Sequence, residues 1–422
     1  MNIFNNIESE VRRYCRAFPT IFTKAEGYKV IDQNGKRYID FFSGSGSLNY
    51  GHNNPAMKQK LLEYISENGI VQGLDMATDA KRNFLKQFYD IILKKRNMDY
   101  KLQFPGPTGT NAVEAALKLV RKVTGRNNIA CFTDSFHGMT LGALSVSFNA
   151  SKKVTDKDAM TKFSVTMPFD GFFGEEYNSL NYIESYLKIS RAKSDLPAAF
   201  ILETIQCEGG INIATTGWLR ELEKILKAYE VLLIIDDIQA GCGRTGTFFS
   251  FETSEIKPDI ICLSKSLSGY GLPLALVLIK PELDVWQPGE HSGTFRGNNL
   301  AFVTATEALN YWKNNEFSDT IRIKSNIIPQ RLSDLVKKYP EIHGKVRGRG
   351  FLWGFESNLK NFSVQVARDA FQAGLLIETA GPKNQVLKLM PPLITDEKGL
   401  NAGLDILKEC LILELSKGDI IK

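Results

Sequence analysis

Two apolar runs in this chain break off into residues able to do chemistry. VLLIIDDIQAGCGRTG, from Val231, carries a stretch of Val, Leu and Ile into Asp236 and Asp237 and then into a glycine-rich turn. DIICLSKSLSGYGLPLA, from Asp259, repeats the pattern, with Lys265 just past its apolar run and Gly269 and Gly271 behind it. Both runs predict buried strands, and a charged group at the end of such a strand points into a site. A lysine amine condenses with an aldehyde. A carboxylate can keep a heterocyclic nitrogen protonated, so that the ring draws electrons from a bonded carbon. One acid and one amine able to face each other therefore suit pyridoxal phosphate.

Other stretches carry further candidates. In QFPGPTGTNAVEAALKLVRKVTG, from Gln103, Pro and Gly residues lead into Thr108, Gly109 and Thr110, and Ala112, Val113, Ala116, Leu117 and Val120 trace one helical face. The start of that helix offers free amides and a favourable dipole to a phosphate, although ordinary helix caps share this composition. Phe136, in SFHGMTLGALS, is either a stacking ring or core. His137 beside it is given no role, because a lysine freed from its cofactor already serves as base. AAFILETIQCEGG, from Ala198, reads as another buried strand that ends in Glu203 and continues to Glu208, acids facing either a site or solvent. Gly241, Gly243 and Gly246 satisfy GxGxxG, but four residues separate them from the strand and FFSFE follows in place of a helix. The dinucleotide fingerprint is a false match.

The run DDIQAGCGRTG resembles the signature of the class III, fold-type I aminotransferases, and SKSLSGYGLPLA resembles the segment bearing their cofactor lysine. The likeness extends from about residue 18 to about residue 395, with separate motifs in the family's order. It implies an α/β fold-type I pyridoxal-phosphate-dependent transferase: a large domain with a mainly parallel sheet flanked by helices, plus a smaller α/β domain. By the same resemblance Lys265 bonds the cofactor and Asp236 takes its pyridine nitrogen. Ile238 packs on the ring face opposite Phe136, Gln239 contacts the ring hydroxyl, and Gly109 and Thr110 hold the phosphate. Thr294, in HSGTFRGNNLA, resembles a residue that reaches the phosphate of a neighbouring subunit, which implies a homodimer with shared sites or a dimer of dimers. Glu203 and Glu208 fall on the segment whose acids tune substrate access.

One departure stands out. Before Pro391 and Pro392, many members place an arginine that clamps a substrate carboxylate, whereas this chain has Lys388, a point charge without the bidentate fork. Glu203, Glu208 and Lys388 are the candidate substrate contacts. The segments ESEVRRYCRAFPTIFTKA, LNYGHNNP, LDMAT and SGTFRGNNLAFVTA are further similar to a subgroup of the ectoine-pathway type. That subgroup passes the amino group of L-glutamate to L-aspartate 4-semialdehyde, giving L-2,4-diaminobutyrate and 2-oxoglutarate. The alternatives are another ω-amino acid aminotransferase, acting on 4-aminobutyrate, ornithine or another diamino acid, and a pyridoxal-phosphate aminomutase.

The elements that must position these residues occupy 422 residues, 43% of them hydrophobic, enough to bury two cores. The expected division is 1–54 as the N-terminal part of a small domain, 55–313 as the large cofactor-binding domain, and 314–422 as the C-terminal part of the small one. Residues 8–16 have helical spacing, YKVIDQNGKRYIDFF reads as a hairpin about Asn34 and Gly35, and SGSGSLNYGHNNP is a loop small enough for backbone to approach a ligand. The stretch 150–196 predicts loops and one helix. No run approaches the ~18 to 20 apolar residues needed to cross a bilayer, and the first residues are amphipathic and charged, so a cytoplasmic protein is expected. Six scattered cysteines without a CxxC pair predict free thiols, not disulfides or a metal site. The net charge of +5 comes from interspersed Lys and Arg, which offers nothing to a nucleic acid. The partners expected are small amino acids and oxo acids.

Overall fold

The computed structural model describes residues 2–148, 163–174 and 177–417. Leu232–Asp236 lies inside a seven-stranded sheet, with Leu233, Ile234 and Ile235 all buried. A strand covered on both faces reads as a continuous apolar run, and each such side chain contributes roughly 1.5–3 kcal/mol on burial. Across the sheet the order is Lys101–Gln103, Leu276–Ile279, Ile260–Leu263, Leu232–Asp236, Ala199–Leu202, Ile129–Phe132 and Ser164–Met167. The last five are parallel, whereas Leu276–Ile279 runs antiparallel to both its neighbours.

Parallel strands bring their carboxyl ends to one edge, where open α/β sheets hold ligands. Asp236 pairs in register with Cys262, so Asp236 and Lys265 emerge side by side at that edge. The adjoining strand adds Glu203 just past Leu202, and Ile129–Phe132 leads on to Phe136 and His137. The helix Gly109–Thr124 packs its apolar face against Ile260–Leu263. It starts at Thr108 in a capping box with Asn111 and stops at Gly125, whose φ of 68° is the left-handed cap glycine tolerates best.

Two four-stranded sheets flank this layer, and Ile205–Gln206 pairs with Asn212–Ile213 as a two-stranded one. Phe22–Glu26, Lys29–Asp32 and Arg37–Asp40 pair antiparallel, and Leu375–Leu376, from the far end of the chain, adds parallel to Arg37–Asp40. The expected hairpin is present: Gly35 has a φ of 80°, and the Asp32 carboxylate accepts the amides of Asn34 and Lys36 at 2.9 and 3.0 Å. The other four-stranded sheet runs Lys345–Arg349, Leu352–Glu356, Val386–Leu389 and Glu378–Ala380, antiparallel throughout.

Two expectations are corrected. Residues 8–16 do not form one helix; Asn2–Ile7 and Tyr14–Ala17 are separate. Between them the Ser9 hydroxyl accepts the Val11 amide at 3.4 Å and Arg12 Nε donates to the Ser9 carbonyl at 2.9 Å, local bonds that compete with helical ones. In 150–196 the helix is Ser179–Ala192, but Ser164–Met167 is a sheet strand where only loops were expected. As an edge strand it carries only Met167 fully buried, so no apolar run advertised it. Positions 149–162 and 175–176 of that stretch lie outside the described residues. All six cysteines are free, five of them buried. Among the described residues no helix is long and apolar enough to cross a membrane.

Candidate active site

Lys265 takes a φ of 48°, a left-handed conformation that costs a non-glycine residue about 1–3 kcal/mol. Its neighbours pin it there. Ser264 Oγ donates to the Leu274 carbonyl and Ser266 Oγ to the Gly46 carbonyl, both at 2.7 Å. Lys265 Nζ donates to the Ser45 carbonyl at 2.8 Å, which draws the small-residue loop after Phe42 into the site. Although partly accessible through the cavity, the amine is desolvated, and this lowers it from the ordinary lysine value against the pull of the Glu208 carboxylate. A larger share of neutral, nucleophilic amine follows.

Asp236 is held on both oxygens: His137 Nδ1 donates to Oδ2 at 2.7 Å and the Ile238 amide to Oδ1 at 3.2 Å. An ionised carboxylate only accepts, so His137 carries its proton on Nδ1 toward Asp236. His137 is thus the carboxylate's orienting partner, a role sequence reasoning missed because nothing local links it to a residue 99 positions away. Its Nε2 is buried without a hydrogen-bond partner.

Asp237 turns to the opposite side, as alternation along a strand requires, and accepts the Ser250 amide at 3.1 Å. Burial raises its carboxyl from 3.8 to about 7. The folded state therefore holds this proton more tightly than the unfolded chain does. The stability it contributes is full below the ordinary carboxyl value and is lost as pH rises toward 7. Asp237→Asn should flatten that loss, read as urea midpoints from about pH 4 to about pH 8; parallel profiles in both proteins would refute the raised titration.

A cavity of about 160 Å³ gathers the candidates at the carboxyl edge of the sheet. Lys265 and Asp236 line it, with Gly109 and Thr110 at the start of the long helix. Gly109 is needed for close approach, since a Cβ there would sit 3.0 Å from Ile238 Cδ1. Phe136 and Ile238 contribute apolar walls. Gln239 lines the cavity too, its Nε2 donating to the Ser45 carbonyl at 2.7 Å. Glu203 accepts the Phe136 amide at 3.0 Å, and burial together with the Asp236 charge pushes its carboxyl well above the ordinary value. Thr294 is exposed and lies outside this cavity, its carbonyl accepting from Gln72 Nε2 at 3.0 Å.

Lys388 is fully buried, with Nζ 2.5 Å from Glu208 Oε1 and 2.9 Å from Glu378 Oε1. Burial alone would lower its pKa, but the two carboxylates outweigh it and hold the ammonium above the ordinary lysine value. An unpaired charge at such a position costs several kcal/mol, which these partners offset. Glu208 feels the same attraction: despite burial, Lys388 and Lys265 pull its carboxyl down to about 2. Glu378 was not among the sequence candidates. GLLIETAG, an apolar run ending in an acid, is the same signal that singled out Asp236.

A nucleophilic lysine, a fixed carboxylate, two apolar walls and a helix start match the aldehyde, ring nitrogen, ring faces and phosphate of pyridoxal phosphate. Fold and site together define a pyridoxal-phosphate enzyme of fold-type I. The chain belongs to the class-III aminotransferases, whose family model matches residues 11–411. It is similar to the diaminobutyrate–2-oxoglutarate transaminase of Halalkalibacterium halodurans, 57% identical over 97% of this chain and 96% of that one. It is also similar to the enzyme of that name from Marinococcus halophilus, 54% identical with the same coverage. Among solved structures, the ornithine aminotransferase of Toxoplasma gondii superposes with a TM-score of 0.82 at 27% identity, covering 98% of this chain and 95% of that one. A transaminase from the marine bacterium Virgibacillus gives 0.87 at 18% identity over 99% of both chains, a likeness of fold alone.

Proposed function

We propose that this enzyme transfers the amino group of L-glutamate to L-aspartate 4-semialdehyde, giving L-2,4-diaminobutyrate and 2-oxoglutarate, and runs in reverse. The observation that carries the reading is one cavity lined by Lys265, Asp236 and Glu208, the last of them paired with the buried Lys388. Relatives above half identity across nearly the whole chain are named diaminobutyrate–2-oxoglutarate transaminases, which supports this pair of substrates.

When bound, pyridoxal phosphate supplies an aldehyde for the amine and a protonated ring that withdraws electrons from the substrate carbon. Lys265 Nζ anchors it. Once an incoming amino acid has taken its place, the same nitrogen accepts the proton from the amine-bearing carbon and later returns it. Asp236, oriented by His137, keeps its negative charge toward a ring N–H. Phe136 and Ile238 confine a flat ring between them, Gln239 offers an amide to its hydroxyl, and Gly109 and Thr110 present helix-start amides to the phosphate. Glu203 fixes the backbone of Phe136. The exposed Thr294 supports a homodimer in which each copy lends this residue to the other's site. A sheet that joins strands from both ends of the chain supports a small domain of 1–54 and 314–422 beside a large domain of 55–313.

The test is a half-reaction on the purified protein, following the visible band of the lysine-linked cofactor as single amino acids are added. Glutamate and diaminobutyrate should bleach it rapidly, with 4-aminobutyrate and ornithine at least ~10-fold slower. Faster reaction with either of the latter than with diaminobutyrate would overturn the substrate assignment and leave the class intact.

A further inference from the structure

The Glu208–Lys388–Glu378 cluster holds more negative than positive charge. Glu378 and Lys388 are direct cross-strand partners, so the sheet itself fixes their separation. Lys388 has no exposure, and its ammonium pairs with two carboxylates, Glu208 at 2.5 Å and Glu378 at 2.9 Å. Glu378 is 6% exposed, and neither of its oxygens makes a hydrogen bond of good geometry. Its effect is therefore one of charge, exerted through Lys388 on Glu208, which lines the cavity with Lys265.

We propose that Glu378 is a specificity-determining positioning residue: it keeps Lys388 paired and leaves the cluster one surplus negative charge beside the cavity, which selects an amino acid whose far end carries an ammonium next to its carboxylate over one carrying a carboxylate alone. The inference rests on the diaminobutyrate reading and deepens it. With its terminal amine at Lys265, diaminobutyrate places an ammonium and a carboxylate at the far end, where 4-aminobutyrate has only the carboxylate. In a desolvated site the surplus charge repels the second and tolerates the first. The other groups facing the cluster do not cancel it. Lys265 is committed to the cofactor, Arg13 acts on Glu208 from an exposed position, and the Tyr14 hydroxyl faces both glutamates uncharged, burial and those carboxylates raising it above the ordinary tyrosine value.

Glu378→Gln keeps the shape and removes the charge. In half-reactions of the holoenzyme, the apparent Kd for diaminobutyrate should rise about 10-fold while those for 4-aminobutyrate and glutamate fall, opposite signs that general damage to the site would not give. All three Kd values moving together, or an unchanged preference, would overturn the inference. A second measurement needs no variant. Burial raises the Glu378 carboxyl, so the wild-type preference should weaken as pH falls and this group protonates; a preference flat from about pH 9 to about pH 5 would also overturn it. Wild-type enzyme that takes 4-aminobutyrate as readily as diaminobutyrate would instead refute the substrate reading itself.

Discussion

Lys265→Ala is expected to abolish amino transfer, by roughly 10⁴-fold or more, and to remove the visible band of lysine-linked cofactor. The size of the effect follows from the two duties proposed for one nitrogen, anchoring the aldehyde and carrying the proton. No neighbour can take over. Lys388 does not line the cavity; it is fully buried and paired with Glu208 and Glu378. Steady-state rates with glutamate and an oxo acid, together with the absorbance spectrum, check both halves of the expectation. Retained turnover would refute the assignment of Lys265.

Asp236→Asn separates binding from chemistry. The amide fills the same space beside His137 Nδ1 and the Ile238 amide, so cofactor should remain bound. What is lost is the negative charge proposed to keep a ring nitrogen protonated. The proton transfer should slow by about 10²–10³-fold, the scale of removing a preorganised electrostatic partner. Single-turnover bleaching with glutamate measures this step. A wild-type rate in the variant would eliminate Asp236 as electron-sink partner, and loss of the cofactor would mean that the carboxylate mainly binds.

The dominant residues were legible because their signals are local. Asp236, Lys265 and Glu203 each end an apolar run, and burial on both faces of a central strand forces such a run to stop where the chain meets a site. Gly109 and Thr110 were legible as a helix start, and the helix does begin at Gly109. The strand Ser164–Met167 was not, because an edge position relaxes the demand for apolar side chains. The expected helix over 8–16 gave way to side-chain bonds that spacing alone does not report.

By itself, then, the sequence determined which residue types stand at the ends of which strands, and hence the amine and carboxylate chemistry available. Only the tertiary structure decided who holds whom. His137 meets Asp236 across 99 positions, Lys265 meets the Ser45 carbonyl across 220, and Glu208 meets Lys388 across 180. Even Glu378, close to Lys388 in sequence, faces it only because two antiparallel strands settle in one register. Periodicity follows from the short-range geometry of the backbone, whereas these pairings follow from the packing of distant elements around one sheet edge.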